Sequence, residues 1–542
     1  MRPTFSGIEI GRSGLVVSQK GLDVTSHNIA NVDTKGYTRQ RIVQTAIEPY
    51  NSIRKFRPVD KGLVGQGTTV MILDQIRSEF LDSQFRVNNS VLGYWDTRTQ
   101  GLRYMQTLFE SVDGGSLENS MGITIQDCVA DLFSSFIVGE TEANAAEERL
   151  LIQQSAISLA ESFNLTYQRL QAQMADQDAA VKVLVEKINI LSEGISELNR
   201  SIYSYEILGE PALDLRDKRN VMLDELSALA EIEYSGNGVG EQFTLTLGGN
   251  VLVSHVTTTK LLVAQDKSNV VPGEPNVYNI YYDADGDGVV NPGNDVLFTD
   301  SIPTGELKAH LDLRDGDSAT NKGIAYYMEE INTFTRALVQ EINKQHRKGY
   351  SHPLSGSSNN KIAFWGMYDS NGNVIDVDET DPTELSKLTA GNLRLSNAIT
   401  NDVYNIAFSD KEIITDPALY DPNIKTFSGN NENMRKLYQL RNIGDITLIT
   451  GQYIGSLPGY LAGTMLDFSV TLNHSANLAD IHDVQTHDVD NLRLSISSVS
   501  LDDEMVNMIK YQHAYEGASR MITAMDEALD ILINRTGLVG RS

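Results

Sequence analysis

Apolar residues recur at heptad spacing at both ends of this chain, and that pattern limits how the chain can fold. Helices with such a stripe bury it against partner helices, because apolar surface is unfavourable in water. The N-terminal seam comprises Ile8, Leu15, Leu22 and Ile29. The C-terminal seam comprises Leu501, Met505, Met508, Tyr515, Ile522, Leu529 and Ile533. The two seams are predicted to form coiled coils and to be the assembly interface of a polymerising subunit.

Four glycines interrupt the N-terminal seam, at positions 7, 11, 14 and 21. Each glycine inside a helix costs about 1 kcal/mol relative to alanine, so together they cost on the order of 4 kcal/mol. A helix weakened in this way is predicted to form only when a partner helix covers it.

The charge balance excludes several classes of function. The 542 residues include 44 Lys and Arg against 72 Asp and Glu, a formal net charge of -28, so the surface should repel nucleic acid. No stretch of 18 consecutive apolar residues predicts membrane insertion, and the first thirty residues lack the pattern of a secretory signal. Cys128 is the only cysteine, so neither an intrachain disulfide nor a cysteine-rich zinc site is expected.

The sequence between the ends predicts a mainly α, multidomain α+β protein in which β-rich insertions interrupt a long-helix bundle. Long helices are predicted at about 78–112 and 142–205, and a break in the last helical region near Pro458 and Gly459. Residues 1–40 and 495–542 are predicted to form a terminal helical polymerisation domain. The predicted helical body comprises residues 41–234, 305–348 and 431–494. Strand-like alternation predicts a β-rich insertion at 235–304, and an irregular, β-rich one at 349–430.

An acidic loop gives the sharpest chemical signal. Asp283, Asp285 and Asp287 stand at positions 1, 3 and 5 of a calcium-loop pattern, and glycine follows at position 6. Position 12 should be glutamate but is Asn294, and strand-like sequence replaces the flanking helices. Two hypotheses therefore stay open, a Ca²⁺ site and a solvated hairpin turn. No other cofactor is predicted.

The sequence contains none of the catalytic patterns that would predict an enzyme. It has no His-Glu-x-x-His, no Gly-x-Ser-x-Gly and no phosphate-binding glycine loop. The acidic run at 502–504 is explained by the favourable position of carboxylates at a helix N-terminus. We therefore expect a structural protein.

Two segments resemble the terminal signatures of the flagellar rod, hook and hook-associated proteins. They are residues 28–37 (NIANVDTKGY) and residues 500–515 (SLDDEMVNMIKYQHAY). Residues 36–41 (GYTRQR), 342–346 (INKQH) and 532–540 (LINRTGLVG) are similar to the hook-associated members that join hook to filament. The resemblance covers the ends and the helical body but neither β-rich insertion.

The resemblance implies a non-enzymatic subunit of the flagellum, located outside the cell after unfolded export through the flagellar type III apparatus. It implies a ring of copies of this chain, in contact with hook protein on one side and hook-associated protein 3 on the other. It also implies a cytoplasmic export chaperone that binds the C-terminal helix, and terminal helices that lie in the inner coiled-coil layer.

Two alternatives remain at this stage. The terminal signatures are shared across the family, so the chain could be another axial protein such as the hook protein itself. The acidic loop raises a different class, a calcium-binding surface adhesin on a flagellar-type scaffold.

Overall fold

The computed structural model describes most of the chain, with gaps at both ends and in several loops. The described residues are 6–47, 65–110, 124–141, 146–236, 238, 241–271, 275–291, 293–355, 361–369 and 371–535.

Helices dominate the described residues, and the longest ones lie where Ala, Leu, Glu and Gln are abundant. The first seven helices are α1 (Ser6–Ala30), α2 (Glu79–Glu110), α3 (Ile125–Thr141), α4 (Ala146–Glu206), α5 (Leu213–Leu229), α6 (Glu306–Asp315) and α7 (Ile324–His346). They are followed by α8 (Pro382–Lys387), α9 (Asn397–Asn401), α10 (Glu432–Gln439), α11 (Leu457–Ser497) and α12 (Leu501–Asp530). The predicted long helices correspond to α2 and α4.

The 61-residue helix α4 runs through two hydrophobic cores. Its first half, which includes Phe163, packs with α3, α7 and α10 in the larger core. Its second half, which includes Ile188, packs against α5 and the strands that follow α5. The apolar steps predicted along this helix are therefore buried within the chain itself.

Most strands form small sheets in the two regions where strand texture was predicted. Short strands at 40–46, 68–75, 446–447 and 453–455 lie in segments that were predicted to be helical. Before α6 lie β3 (Ile232–Ser235), β4 (Thr244–Leu247), β5 (Asn250–Ser254), β6 (Thr257–Thr258), β7 (Leu261–Lys267), β8 (Val277–Tyr282) and β9 (Val296–Leu297). They make the antiparallel sheets β3-β4-β5-β6 and β7-β8-β9. A separate hairpin of β1 (Gln40–Ala46) and β2 (Thr68–Gln75) contacts α1.

Further along the chain lie β10 (Trp365–Tyr368), β11 (Val374–Asp376), β12 (Leu393–Leu395), β13 (Glu412–Ile413), β14 (Lys425–Thr426), β15 (Ile446–Thr447) and β16 (Tyr453–Gly455). The first three form one antiparallel sheet, β13 and β14 pair in parallel, and β15 and β16 pair antiparallel.

The break expected near Pro458 and Gly459 is wrong in detail, because these residues begin α11. Pro458 stands in the first turn of α11, where a missing N–H costs nothing, and Ser456 accepts a hydrogen bond from the backbone of Gly459 as its N-cap. The real interruption precedes them, at the β15–β16 pair.

The predicted fold class, mainly α with β-rich insertions, is confirmed. The four-part division of the chain stays a prediction. Among the described residues, no helix is both long and apolar enough to span a bilayer.

Candidate assembly site

The two terminal helices pack against each other through glycines of α1. A Cβ on Gly11 would lie 2.8 Å from Cγ1 of Ile522, and one on Gly21 would lie 2.5 Å from the Tyr511 ring. Carbon atoms do not approach so closely, so a larger residue would push the helices apart. The glycines that weaken α1 in isolation are therefore also what lets α12 reach it.

On α1 the face that contacts α12 is the glycine face, and the seam residues lie beside it. Ile8, Leu15, Leu22 and Ile29 are half-buried and flank the glycine face. On α12, Met508, Ile522 and Leu529 are half-buried, whereas Leu501, Met505 and Tyr515 are exposed. A glycine face allows closer backbone approach than a leucine face, which explains why it makes the contact. That the seams bind neighbouring subunits stays a prediction.

Asn28 closes the turn that follows α1. Its Oδ1 accepts hydrogen bonds from the Gln40 backbone N–H at 3.0 Å and from the Tyr37 hydroxyl at 2.7 Å. Its Nδ2 donates to the Gln40 carbonyl at 2.9 Å and to Glu504 Oε2 at 3.0 Å. An amide side chain has two donor hydrogens and two acceptor positions, so all the capacity of Asn28 is used.

Glu504, in the first turn of α12, is only 2% exposed. Its Oε1 accepts from Arg39 Nε at 2.8 Å and also lies 2.8 Å from a second nitrogen of that guanidinium. The position of Glu504 at a helix start was anticipated, but its partnership with Asn28 and Arg39 was missed. No local pattern shows this partnership, because it joins segments from opposite ends of the chain.

Asp217 on α5 ties the same turn to the helical body. It accepts from the Thr38 backbone N–H at 2.9 Å and from the Thr38 hydroxyl at 2.7 Å. Burial raises the pKa of Asp217 to about 6, although the two Thr38 hydrogen bonds oppose the shift. Burial, and then the nearby carboxylates Asp214, Asp217 and Glu504, raises the pKa of Tyr37. Tyr37 is therefore a neutral hydrogen-bond donor at physiological pH.

We name this group the polar clasp. It comprises Asn28, Tyr37, Thr38, Arg39, Gln40, Asp217 and Glu504. A neighbouring ion pair reinforces its connection to the body, since Arg493 on α11 lies 2.6 Å from Asp224 on α5. Asp224 in turn pairs with Arg86 on α2 at 2.8 Å. The clasp thus holds the paired ends at a fixed position on the helical body.

The acidic loop lies between the antiparallel strands β8 and β9. Asp283, Asp285 and Asp287 each offer an oxygen, and these oxygens lie within 4.8 Å of one another. Asp283 accepts from the backbone N–H groups of Gly286 and Gly288 at 2.7 and 3.2 Å. Hydrogen bonds from the Asn294 side chain and from the Asp287 backbone lower the pKa of Asp285. Asn294, at the position where a glutamate ligand was lacking, is thus a donor to the loop.

Asp295, one place after position 12 of the calcium-loop pattern, also belongs to this loop. It is 7% exposed, and it accepts from the backbone N–H groups of Ala284 and Asn291 at 3.1 and 2.7 Å. The loop has the form of a hairpin turn, and Ca²⁺ binding there stays a prediction.

Curated relatives match the chain over its whole length. Flagellar hook-associated protein 1 of Bacillus subtilis is 28% identical over 100% of both chains. The proteins of that name from Salmonella typhimurium and Escherichia coli are each 22% identical over 96% of this chain and 98% of their own. A solved structure, described as the flagellar hook junction protein FlgK from Burkholderia pseudomallei, has the same fold. It aligns with a TM-score of 0.52 and 13% identity, over 76% of this chain and 98% of that one.

Family models match both ends and the middle. Residues 8–38 match the model "Flagella basal body rod protein", and residues 492–535 match "Flagellar basal body rod FlgEFG protein C-terminal". These are the two segments that meet in the α1–α12 pair, and they define an axial structural protein of the bacterial flagellum. Residues 115–362 match "Flagellar hook-associated protein FlgK helical domain". Over its whole length the chain is thus similar to the flagellar hook-associated protein 1 family, and its middle matches that family's helical domain.

Proposed function

We propose that this chain is the structural subunit that joins the flagellar hook to the filament and that it has no catalytic role. The observation that carries the proposal is the pairing of its first and last helices with apolar seam residues left outward. Met505 and Leu501 are 51% and 46% exposed, although large apolar side chains are usually buried. Neighbouring subunits would cover them in a polymer.

The proposed partners are other flagellar proteins. Copies of this chain would form a ring that contacts hook protein on one side and hook-associated protein 3 on the other. A cytoplasmic export chaperone would bind the C-terminal helix before the chain leaves the cell through the flagellar export apparatus. The mature ring would therefore lie outside the cell. The family's structural role and the exposed face of α12 support these assignments.

Deletion of the gene tests the proposal. Electron micrographs of the deletion strain should show hooks of normal length without filaments, and the wild-type gene should restore the filaments. Intact filaments would contradict the proposal. Loss of the hooks themselves would favour the hook-protein alternative, and normal flagella with lost surface adhesion would favour the adhesin.

Point variants test the seams in the same strain. Leu22→Asp and Ile522→Asp place a carboxylate at half-buried seam positions, and we expect both to block filament attachment while the body stays folded. Ala524→Asp is the matched control, since Ala524 is exposed on the face of α12 that points away from both the seam and α1. Filaments restored equally by all three variants would remove the seams from the assembly interface.

A further inference from the structure

The contact between α1 and α12 is built from four layers spaced by seven residues. Gly7 lies against Met525, Gly14 against Ala518 and Gly21 against Tyr511. The fourth layer is Asn28 with Glu504, joined by a hydrogen bond of 3.0 Å. Each step of seven up α1 is matched by a step of seven down α12, so the helices are antiparallel.

Three of these layers are nearly interchangeable. Each places a glycine of α1 against a side chain of α12, and glycine has no side chain that could select one residue of α12 over another. A slide of seven residues, about 10 Å along the helix, would bring glycines back to the same face. Glycine contacts alone therefore specify the register of the pair weakly.

The fourth layer differs in chemistry from the other three. Glu504 is the only residue of α12 that is buried, within the part of that helix that the structure describes. A buried carboxylate is strongly unfavourable unless it is paired and hydrogen-bonded. Two of its partners, Asn28 and Arg39, come from the N-terminal segment, and the third, Asn507, lies one turn further along α12 at 3.3 Å. A buried polar residue in an apolar seam is the best-attested device for fixing helix register.

Either slide would break this layer. A slide in one direction would place Glu504 against Gly21, which offers it no side-chain donor. A slide in the other direction would place Asn28 against Tyr511 and carry Glu504 beyond the end of α1. In both cases the hydrogen bond between Asn28 and Glu504 is broken. At least two of the glycines would still lie against side chains of α12.

We propose that the Asn28–Glu504 layer, with Arg39, sets the register of the antiparallel α1–α12 pair. Asn28 and Glu504 are thus positioning residues. The proposal deepens the assembly function proposed above, because the register decides which seam residues face neighbouring subunits.

Engineered cysteines can report the register in the purified full-length chain, with Cys128→Ala in every variant. Gly14→Cys with Ala518→Cys reports the observed register, because a Cβ on Gly14 lies 3.6 Å from Cβ of Ala518 and thus within disulfide range. Gly14→Cys with Met525→Cys, and Gly14→Cys with Tyr511→Cys, report the two slides. In the observed register these last pairs are separated by about seven residues of helix, roughly 10 Å, and cannot close.

With the Asn28–Glu504 layer intact, mild oxidation should form mainly the 14–518 disulfide. The disulfides 14–525 and 14–511, which report the two slipped registers, should each form at less than about a tenth of that yield. Asn28→Leu with Glu504→Leu keeps an apolar contact, and we expect slipped products to rise about tenfold. Glu504→Gln preserves the acceptor for Asn28, and the 14–518 link should remain dominant. Far-UV circular dichroism establishes that each variant retains its helices.

Two results would overturn the proposal. One is an unchanged 14–518 preference in the double leucine variant, and the other is equal linkage of all three pairs when the layer is intact. If the double variant loses its helices, Asn28→Leu alone is tested against the same criteria. The measurement uses the isolated chain, so it is independent of the deletion phenotype that tests the junction function.

Discussion

Arg39 and Glu504 lie 465 positions apart and form an ion pair at 2.8 Å. The two members are not equally buried, since the side chain of Arg39 is 22% exposed and that of Glu504 is 2% exposed. Loss of Glu504 would leave a guanidinium that water can still reach. Loss of Arg39 would leave a buried carboxylate with only the neutral amides of Asn28 and Asn507 as donors.

We therefore expect Arg39→Ala to destabilise the docking of α12 more than Glu504→Ala does. The expected losses are about 3 kcal/mol for Arg39→Ala and about 1 kcal/mol for Glu504→Ala. Hydrogen exchange of the α12 amides measures both. Arg41→Ala is the control, because Arg41 forms an exposed pair with Asp74, and it should change stability by less than about 1 kcal/mol. A larger effect of Glu504→Ala would refute the asymmetry.

Gly21→Ala should separate the terminal helices, although alanine is the better helix former. Its Cβ would lie 2.5 Å from the Tyr511 ring, and overpacking of this kind costs about 1–3 kcal/mol. Gly517→Ala is the matched control, because no atom lies within 4 Å of a Cβ at that position of α12. It should stabilise the helix by up to about 1 kcal/mol. The midpoint of thermal unfolding should therefore fall for Gly21→Ala and rise for Gly517→Ala. A rise for Gly21→Ala would contradict the close contact.

Acid should weaken the protein through His346. This fully buried ring bonds the Ile362 carbonyl through Nδ1 and accepts from the Ala407 N–H through Nε2, so both nitrogens are used by the neutral form. Burial lowers its pKa to about 4. The unfolded chain, with a pKa near 6.5, therefore binds the proton first as the pH falls. His346 therefore contributes up to about 3 kcal/mol to the free energy of unfolding above about pH 6.5, and this contribution is lost as the pH falls towards 4.

Urea unfolding at pH 7 and pH 4.5, for the wild type and for His346→Gln, isolates that contribution. The difference in unfolding free energy between the two proteins should shrink as the pH falls. Subtraction is needed because Asp217, with a raised pKa of about 6, has the opposite dependence and loses stability as the pH rises through that range. A difference that is independent of pH would show that His346 does not titrate as inferred.

Calcium binding to the acidic loop is tested by calorimetry on the full-length chain. If the loop is a site, Ca²⁺ should release heat in a saturable titration, and Asp283→Asn with Asp285→Asn should abolish it. Asp300→Asn is a control, since this exposed carboxylate lies after β9 and outside the group of three. No saturable heat from the wild type would leave the loop as a hairpin turn.

Local sequence pattern predicts the elements that have a distinctive composition and periodicity of their own. The helices α2 and α4 and the strands from β3 to β9 lie where composition and periodicity predict helices and strands. The N-terminal seam does not by itself show which face of α1 meets another helix, because a heptad pattern describes one helix and not its partner. Only the partner helix shows that the glycines are the contacting face.

One signal for that contact was present in the sequence. Positions 7, 14, 21 and 28 hold three glycines and an asparagine, and positions 504, 511, 518 and 525 have the same spacing at the other end. The burial of Glu504 and Asp217 could not be inferred in this way. Glu504 lies in the acidic first turn of α12, and Asp217 lies just after the first turn of α5. In so acidic a chain, only tertiary contact separates them from solvated carboxylates such as Asp502.

The central claim, a structural subunit between hook and filament, is tested most directly by locating the chain on the flagellum. Gold-labelled antibody against the purified protein would be imaged on flagella isolated with their hooks attached. The account predicts label confined to the boundary between hook and filament. Label spread along the hook, along the filament or over the cell surface would contradict it.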